Sequence, residues 1–530
     1  MTIHTDQSVV DVDSTLDPPG PPRVAIIGAG YGGLGAAIEL SRSGIDSYEV
    51  FERSSGLGGV WRANVYPGAA CDIPSSIYSF SHSLSADWTR TYAEQREILD
   101  YLQRTADEFG VTPKINFNTE VVGASFVDGR WNVETADGAN RIFDAVITAS
   151  GVLSNPYIPD ADIAEFTGTH FHSAEWDETV DLVGKSVVIV GSGASAIQIV
   201  PRIAGTVAHL SIVQRTPKWV INRKHDTPRH RLPAAVRRTK WYLRFQHAVE
   251  FLHHELKAPL IYRRFDAVRG LFEARMLNDI RREIADPELR EKVTPRYKAM
   301  CNRILISSDW YSTLVKKNVS VHTASVKRLV GRTVELTDGT SLDADVVVWC
   351  TGFQADRYLA PIRIRGIDGR DLHEEWESSA ATSYLGVALT GYPNLFTIFG
   401  PGTGGTTVNS AVFLLERQAE YIRKALSSIK SGESLDVRKE VQDTYNDKLA
   451  KRFQTTVYAS DCSGWYSSKD GREFVAWPGS HLAYARALKT FDKSEYNALA
   501  ATRSAGALAT ETGTAGSAGT RGPRAVETDR

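Results

Sequence analysis

The sequence predicts an α/β fold with two largely parallel sheets and a helical insertion. Residues 24–40 and 187–200 each begin with a short apolar strand, continue through a glycine-rich turn and end in helical apolar spacing. Between the second stretch and a buried strand predicted at 346–349, residues 226–300 carry basic and aromatic side chains at helical spacing. Strands that alternate with helices are typical of parallel sheets covered by helices.

The first stretch matches a dinucleotide-binding fingerprint. The strand Val24–Ile27 leads into a G-x-G-x-x-G turn at Gly28, Gly30 and Gly33, and the next strand ends at Glu52, 24 residues after Gly28. The glycines permit a tight turn, approach of a pyrophosphate to the backbone and close packing of helix on strand. The helix N-terminus offers N–H donors to phosphates, and an acid at this distance can bind a ribose hydroxyl.

A second fingerprint begins at the strand Val187–Val190. The nucleotide contacts predicted in its turn and helix are Gly191, Ser192, Gly193, Ser195, Ala196 and Gln198. After the next strand, Leu210–Val213, no acidic residue stands where the fingerprint has its ribose-binding acid. Arg215, Thr216 and then Lys218 follow this position. An arginine here would repel nothing and could pair with a 2′-phosphate, although an ordinary surface arginine is the alternative. The first unit is therefore predicted to bind FAD and the second to bind NADPH.

These patterns predict the domain organisation. We expect a flexible arm at 1–22, an FAD-binding domain at 23–160 and 351–497, an NADPH-binding domain at 161–225 and 301–350, a helical insertion at 226–300 and a disordered tail at 498–530. The insertion is interpreted as a lid because Glu250, Glu255, Asp266 and Glu273 are interleaved with its cations. A basic amphipathic surface that touches a membrane is the alternative.

Smaller elements are also predicted. Residues 94–110 have the pattern of an amphipathic helix, and alternating segments around 115–149 indicate a small antiparallel insertion with a hairpin near Asp137-Gly138. A buried strand is expected at 145–149, a strand with a glycine-rich turn at 396–404 and a helix at 412–429.

Composition narrows the class of protein. The chain has 530 residues, 42% of them hydrophobic, which suffices for two or three packed domains, and its net charge of −2 does not suggest a nucleic-acid binder. Its four cysteines are scattered without a C-x-x-C pair, which argues against a disulfide scaffold, a zinc ribbon and a dithiol flavoreductase. We find no N-terminal signal segment and no apolar stretch long enough to span a bilayer, so we expect a cytoplasmic protein.

Two further stretches carry candidate functional residues. At 58–72, an irregular glycine-rich loop contains Trp61, which could pack along a flat ring, and Asp72; the alternative is a surface loop with a buried Trp and a capping Asp. At 166–177, between the two fingerprints, His170 and His172 alternate on an extended run that ends at Trp176. This run could contact both cofactors, or it could be a linker anchored by Trp176; an H-x-H metal site is the weaker option because no further ligand cluster stands out.

Both stretches resemble fingerprints of the type I Baeyer–Villiger monooxygenases, in the flavin-containing monooxygenase superfamily. Residues 166–177 match F-x-G-x-x-x-H-x-x-x-W-[PD] at Phe166, Gly168, His172, Trp176 and Asp177. Residues 58–72 match [AG]-G-x-W-x-x-x-x-[FY]-P-[GM]-x-x-x-D at Gly58, Gly59, Trp61, Tyr66, Pro67, Gly68 and Asp72. Related flavin monooxygenases usually carry another aromatic where this chain has Trp176, so the Baeyer–Villiger branch is favoured.

The resemblance implies an activity and residue roles. It implies that NADPH reduces FAD, that O2 adds to form a C4a-peroxyflavin, and that a ketone becomes an ester or lactone, with sulfides oxidised as well. Arg303 would supply positive charge beside the reacting oxygen and Asp72 would hold it, while His172 and Trp176 would link domain motion to NADP⁺ retention. Further FAD contacts are implied at Val60, Trp61, Tyr78 and Val121.

One departure from the family pattern and two alternatives stay open. The family usually has Lys-Arg where this chain has Asn302-Arg303, which removes a cation expected near the 2′-phosphate. A monooxygenase that oxidises nitrogen or sulfur but not ketones is the first alternative, and a nucleotide-sensing protein without turnover is the second. The oligomer is expected to be a monomer or a homodimer.

Overall fold

The computed structural model contains two five-stranded parallel sheets. It describes residues 21–222, 232–262, 266–354, 357–404, 409–430, 432–457 and 477–500, with the backbone alone for 258–262. Most of the predicted arm and of the predicted tail lies outside the described residues. The predicted α/β class with two parallel sheets and a helical region between them is confirmed. The exact domain boundaries stay a prediction.

The first sheet is built around the first fingerprint strand. Its strands, in the order in which they lie side by side, are β20 (Leu395–Thr397), β7 (Ala145–Thr148), β1 (Val24–Ile27), β2 (Tyr48–Phe51) and β3 (Ile115–Asn116). All four pairings are parallel, and every residue of β1 and β7 is buried. Burial on both faces explains why these strands are continuous apolar runs.

The predicted antiparallel insertion is confirmed, with one correction. Its strands are β4 (Val121–Val127), β5 (Arg130–Thr135) and β6 (Asn140–Phe143), with β19 (Arg363–Arg365) added in parallel to β4. The hairpin between β5 and β6 turns at Asp137-Gly138, where Gly138 has φ +83°. Ile115 and Asn116, which were expected in the insertion, pair instead with β2 of the first sheet because that parallel edge is adjacent to them.

The second sheet is built around the second fingerprint strand. In spatial order it consists of β14 (Val319–Thr323), β11 (His209–Gln214), β10 (Ser186–Val190), β18 (Val346–Trp349) and β9 (Thr169–His172). Two smaller sheets accompany it. One comprises β17 (Ser341–Asp343), β16 (Thr333–Leu336), β15 (Val326–Gly331) and β8 (Asp162–Phe166), and the other pairs β12 (Val220–Ile221) with β13 (Leu305–Ile306).

Helices cover both sheets. They are α1 (Tyr31–Arg42), α2 (Val60–Ala63), α3 (Gln95–Glu108), α4 (Ala194–Ile203), α5 (Ala234–Arg237), α6 (Lys240–Tyr262), α7 (Asp266–Glu283), α8 (Pro287–Val293), α9 (Trp310–Leu314), α10 (Leu372–Ser378), α11 (Ala411–Ser428), α12 (Lys439–Phe453) and α13 (His481–Ala487). The fingerprint helices α1 and α4 begin before Leu34 and Ile197, where apolar spacing starts, because the last small residue of each turn is already helical.

Two features correct the sequence-based expectations. Residues Ala498 to Ala500, assigned to the tail, belong to β22 (Tyr496–Ala500), which pairs antiparallel with β21 (Glu433–Val437). The alanine-rich composition there hid a strand that is held by backbone pairing. Cys71 and Cys350 are buried thiols, but Cys301 is disulfide-bonded, because folding can pair cysteines that are scattered in sequence.

Gly33 tests the packing of α1 on β1. A Cβ added there would lie 1.8 Å from the Gly28 carbonyl oxygen, whereas one added to Gly270 within α7 would meet nothing within 4 Å. We expect Gly33→Ala to destabilise the fold by about 3 kcal/mol or more, since overpacked backbone cannot yield easily. Gly270→Ala should be neutral or stabilising by about 0.5–1 kcal/mol. Thermal unfolding of the two variants measures the difference, and equal melting temperatures would contradict this account.

Candidate functional site

The first glycine turn is rigidly placed by its surroundings. Gly28 has φ +101°, and a Cβ there would lie 2.6 Å from the Ala149 carbonyl oxygen. Glu52 is buried, and its carboxylate accepts hydrogen bonds from the backbone N–H of Ala29 and of Ser54, both at 2.8 Å. The predicted acid is therefore held beside the turn, as a ribose-binding carboxylate requires.

A second glycine-rich loop faces this turn. A Cβ built on Gly30 would lie 3.5 Å from the Cα of Gly59, and a Cβ built on Gly59 would lie 3.0 Å from the Cα of Gly30. Gly59 has φ +55° and precedes α2, which carries Val60 and Trp61. Two backbone segments without side chains therefore approach each other at the N-terminus of α1, which is the kind of cradle that a pyrophosphate requires. The residues present fit the dinucleotide that the first fingerprint predicts.

Aromatic side chains line the approach from this cradle. Trp61 donates from its indole Nε1 to the Tyr78 hydroxyl at 3.1 Å, and Tyr31 donates to the Tyr78 carbonyl at 2.9 Å. Burial raises the pKa of Tyr78, and the charges of Asp72 and Arg303 also act on it. Trp61 and Tyr78 thus lie beside the predicted catalytic pair.

Val121 has a different environment. It starts β4, and its side chain packs in the hydrophobic core with Phe51. A contact with a cofactor there would have to come from its backbone.

Asp72 and Arg303 form a bidentate ion pair. The guanidinium Nε donates to Asp72 Oδ2 at 2.7 Å and NH2 donates to Oδ1 at 2.5 Å, although 231 residues separate the two in sequence. Both side chains are about one-third exposed, at 32% for Arg303 and 28% for Asp72. Asp72 follows the loop of the first cradle, and Arg303 lies two residues before β13, so the pair joins the two halves of the site.

A second connection joins the same halves. The Tyr66 hydroxyl donates to Gln198 Oε1 at 3.0 Å, and Gln198 Nε2 donates to the Ala70 carbonyl at 2.9 Å. Burial raises the pKa of Tyr66 to about 12, and the Ser195 hydroxyl opposes this shift. A Cβ on Gly68 would lie 2.7 Å from the Gln198 carbonyl oxygen, so the loop packs directly on α4. The sequence predicted that Gln198 contacts the cofactor, and it did not predict this contact with the loop. The signal that could have indicated the contact is Tyr66, which belongs to the fingerprint at 58–72.

The second glycine turn resembles the first in geometry. Gly191 has φ +118°, and a Cβ there would lie 2.3 Å from the Cys350 carbonyl oxygen. A Cβ on Gly193 would meet nothing within 4 Å, so open space lies over the N-terminus of α4. Ser192 is buried and donates to the Thr216 carbonyl at 3.4 Å, and Ala196 is fully buried. The open backbone beside Gly193 fits a second dinucleotide.

Two cations lie beyond this turn. Burial lowers the pKa of Lys218, and the positive charge of Arg215 lowers it further. Within the described ranges, neither side chain forms an ion pair with a carboxylate, and Lys218 lies 5.9 Å from the Tyr297 ring. Burial raises the pKa of Tyr297 to about 12 and the neighbouring Asn302 side chain opposes the shift, which places Asn302 next to this cluster. Adjacent cations without an acid fit an anionic group such as a 2′-phosphate.

The stretch 166–177 forms the edge of the second sheet. His172 pairs with Trp349 in the register of β9 and β18, is fully buried, and accepts a hydrogen bond at Nδ1 from the backbone of Ala174. Its ring lies 5.5 Å from that of Phe353, and burial lowers its pKa, with Gly352 and Glu175 opposing the shift. The stretch is therefore anchored where the chain leaves β18.

The other residues of this fingerprint have local structural contacts. Trp176 packs edge-on against Phe171 at 5.2 Å, and Asp177 accepts from the Thr179 backbone and hydroxyl. A Cβ on Gly168 would lie 2.6 Å from the Phe166 ring, which explains the glycine. No group of three or more His, Cys, Asp or Glu residues that could hold a metal occurs among the described residues.

The comparisons with known proteins follow this geometry. A family model described as flavin-binding monooxygenase-like matches residues 21–359. The chain belongs to this family. It is also 37% identical over 495 residues to a Baeyer–Villiger monooxygenase of Streptomyces coelicolor, covering 90% of this chain and 92% of the relative. This flavin monooxygenase is therefore of the Baeyer–Villiger type, as its two fingerprints predict.

Solved structures give the same fold. An oxidised steroid monooxygenase bound to NADP is 28% identical, with a TM-score of 0.79 over 90% of this chain and 99% of that chain. OTEMO in complex with FAD and NADP is 23% identical, with a TM-score of 0.80 over 91% and 100%. The two-domain dinucleotide-binding fold predicted for this flavin monooxygenase is confirmed, and FAD and NADP, the predicted cofactors, are those named for these neighbours.

Arg215 and Lys218 test recognition of the 2′-phosphate. We expect Arg215→Ala and Lys218→Ala each to raise the Michaelis constant for NADPH by roughly tenfold, since each removes a charge-assisted contact, with little change for NADH. Asn302→Lys should lower the constant for NADPH by adding a cation to the cluster. Steady-state kinetics with both nucleotides measures these effects, and equal changes for NADPH and NADH would count against the assignment.

Substitutions of Gln198 test whether this side chain holds the 58–72 loop on α4 or binds the nucleotide. If it holds the loop, Gln198→Ala should slow flavin reduction at saturating NADPH by roughly tenfold, because the loop carrying Asp72 loses its anchor on α4. Tyr66→Phe should have a smaller effect, and the double variant should be no slower than Gln198→Ala, because both changes remove one interaction.

The control is Gln103→Ala, which removes an exposed hydrogen bond to Asp107 within α3 and should leave the rate unchanged. Direct nucleotide binding by Gln198 would instead be shown if Gln198→Ala raised the Michaelis constant for NADPH and if the effects of Gln198→Ala and Tyr66→Phe were additive in the double variant. Rapid-mixing absorbance of the flavin is the measurement.

Proposed function

We propose that the protein uses FAD and NADPH to insert one atom of O2 beside a ketone carbonyl, giving an ester or lactone. In the net reaction, ketone, O2, NADPH and a proton give the ester, NADP⁺ and water. The observation that carries this proposal is the bidentate Asp72–Arg303 pair between the two glycine turns. The Baeyer–Villiger relative supports the same reaction class.

Arg303 has the chemistry that oxygen insertion into a ketone requires. Negative charge develops on oxygen during attack on a carbonyl, and a fixed, partly desolvated cation stabilises that charge. Asp72 accepts from two guanidinium nitrogens and so fixes the plane of Arg303. Tyr78, which accepts a hydrogen bond from Trp61, is buried near enough to the pair for the charges of Asp72 and Arg303 to act on its pKa.

The two cofactors would be held by different residues. FAD, when bound and reduced, supplies the activation of dioxygen. Gly28, Gly30 and Gly33, with Glu52, would hold its pyrophosphate and ribose, and the second turn with Arg215 and Lys218 would hold NADPH. We propose that buried His172 keeps the 166–177 stretch in register with β18, so that this stretch follows movements between the two cofactor sites. A cytoplasmic location and a monomer or homodimer stay predictions.

Sulfide oxidation is proposed as a second reaction of the same site. A thioether accepts an oxygen atom without a carbonyl to polarise, so it depends less on a cation beside the reacting oxygen. The ratio of ester to sulfoxide therefore reports how far Arg303 acts on the ketone step.

Arg303→Ala tests the proposed role. We expect ester formation to fall at least 10²-fold, in line with the removal of other charge-stabilising groups, while NADPH still reduces the flavin within about threefold of the normal rate. Sulfoxide yield should fall less than ester yield. Product mass spectrometry with labelled dioxygen, on a panel of ketones, thioethers and amines, measures each reaction, and rapid mixing measures flavin reduction.

The matched control is Arg328→Ala. Arg328 also makes a bidentate pair, with Glu335 at 2.7 and 2.8 Å, but on an exposed hairpin of the second half. It should retain full ester formation. Normal lactone yield in Arg303→Ala would refute the assignment, oxygen transfer to amines and thioethers but to no ketone would favour the nitrogen- and sulfur-oxidising alternative, and a flavin that NADPH never reduces would favour a sensor.

A further inference from the structure

An apolar stripe runs along the outer face of α6. Its members share high exposure: Trp241 70%, Phe245 53%, Val249 51%, Leu252 50% and Leu256 67%. At 3.6 residues per turn, their spacing confines them to roughly 80° of the helix circumference. The rings of Trp241 and Phe245 stack on each other at 5.6 Å with an interplanar angle of 8°. Scattered apolar side chains are normal on a surface, but an aligned stripe of this length marks an interaction site.

A different face of α6 is anchored, so the stripe cannot rotate inward. His247 Nδ1 lies 2.7 Å from the Ser76 carbonyl oxygen, and the rings of Phe251 and Phe413 lie 4.6 Å apart. Glu255 is buried and accepts hydrogen bonds from the backbone of Leu482 at 2.8 Å and from Asn409 Nδ2 at 3.2 Å. These contacts occur one helical turn apart and fix the orientation of the helix.

Positive charge borders the stripe. Arg238, Lys240, Arg244 and Lys257 are exposed. The two acids of α6 are engaged elsewhere, Glu250 with His254 at 3.2 Å and Glu255 in the buried contacts above. In the sequence, residues 222–264 hold eleven Lys and Arg against three Asp and Glu, a net charge of +8 in a chain whose net charge is −2.

We infer that this face of α6 docks on an anionic lipid surface, with the helix lying in the plane of the membrane interface. Apolar side chains with Trp and Phe on one face, bordered by Lys and Arg, are the features that such interfacial helices use. Each cation near an anionic leaflet adds about 1 kcal/mol of attraction.

The same features disfavour a second copy of the chain. A two-fold dimer through this stripe would bring two cation-bordered patches together, because a two-fold interface uses one patch on both subunits. None of the helices in the described part of the chain is long and apolar enough to cross a bilayer. Docking would therefore be peripheral, and it is independent of the oxygenation chemistry proposed above.

Vesicle flotation of the flavin-loaded full-length protein tests the inference. We expect the protein to float with vesicles of phosphatidylcholine and phosphatidylglycerol, to remain largely unbound with pure phosphatidylcholine, and to lose binding as salt is added, because salt screens exposed charges. If anionic vesicles capture no protein at low salt, the inference is wrong.

Two pairs of variants separate the apolar and charged contributions. The triple variant Trp241→Ser, Phe245→Ser, Leu252→Ser should lower the vesicle partition coefficient at least tenfold. Its control replaces three equally exposed residues elsewhere, Val127, Val183 and Val315, by Ser and should bind normally. Lys240→Glu with Arg244→Glu should also abolish binding, whereas Lys316→Glu with Lys317→Glu, the same charge change at another exposed site, should reduce it little.

Melting temperature and turnover without vesicles show whether a variant changes folding or catalysis instead of docking. All variants should retain their melting temperature and their turnover of a water-soluble ketone without vesicles, because every substituted side chain is exposed. Binding by the stripe variants equal to that of their controls would overturn the inference. The inference would also be overturned if sedimentation showed a dimer of the wild-type protein that the triple variant does not form, and if the wild-type protein did not bind vesicles.

Discussion

The arrangement of the site depends on one ion pair between distant parts of the chain. Arg303 and Asp72 are only about one-third exposed, so each would be costly to bury alone, and their bidentate geometry offsets much of that cost. The pair can form only if the loop after α2 and the segment before β13 are brought together. Tyr66, Gln198 and Ala70 supply a second, uncharged connection between the same parts. Two connections of different chemistry define a distance and an orientation, which one alone would not.

Close backbone approach is the second constraint, and glycine satisfies it. Gly28 and Gly191 occupy the same place in the two fingerprints, and in both the missing Cβ makes room for a carbonyl of a neighbouring strand end, Ala149 in one and Cys350 in the other. These carbonyls follow β7 and β18, the strands that lie directly beside the fingerprint strands. The turns are thus shaped by the sheet as well as by the ligand, so losing a glycine would disturb the fold before it disturbed binding.

The sequence predicted what local pattern can encode. The strands at Val24–Ile27 and Val346–Trp349 lie where their apolar runs indicated, because burial on both faces leaves a continuous signal, and the strand at Tyr48–Phe51 also lies where it was predicted. The ion pair was anticipated only through family resemblance, since no spacing rule connects residues 231 apart. The strand pairing of β3 and β22 and the disulfide at Cys301 were missed for the same reason: each depends on a partner that folding brings close. Gln198 was placed in the right region but without its protein partners.

Helix α6 shows how structure can separate two interpretations that sequence leaves together. Its acids are interleaved with its cations in sequence, which favoured a lid, yet Glu255 is buried and Glu250 contacts His254 of the same helix. Glu255 ties the helix to the backbone of α13 and to Asn409 just before α11, and His247 ties it to the loop at Ser76. These polar residues thus account for how α6 is held. The exposed apolar residues on its other face are not needed for the stability of the fold. Side chains that contribute nothing to the core but are aligned along 16 residues require a different physical environment, and a lipid interface supplies one.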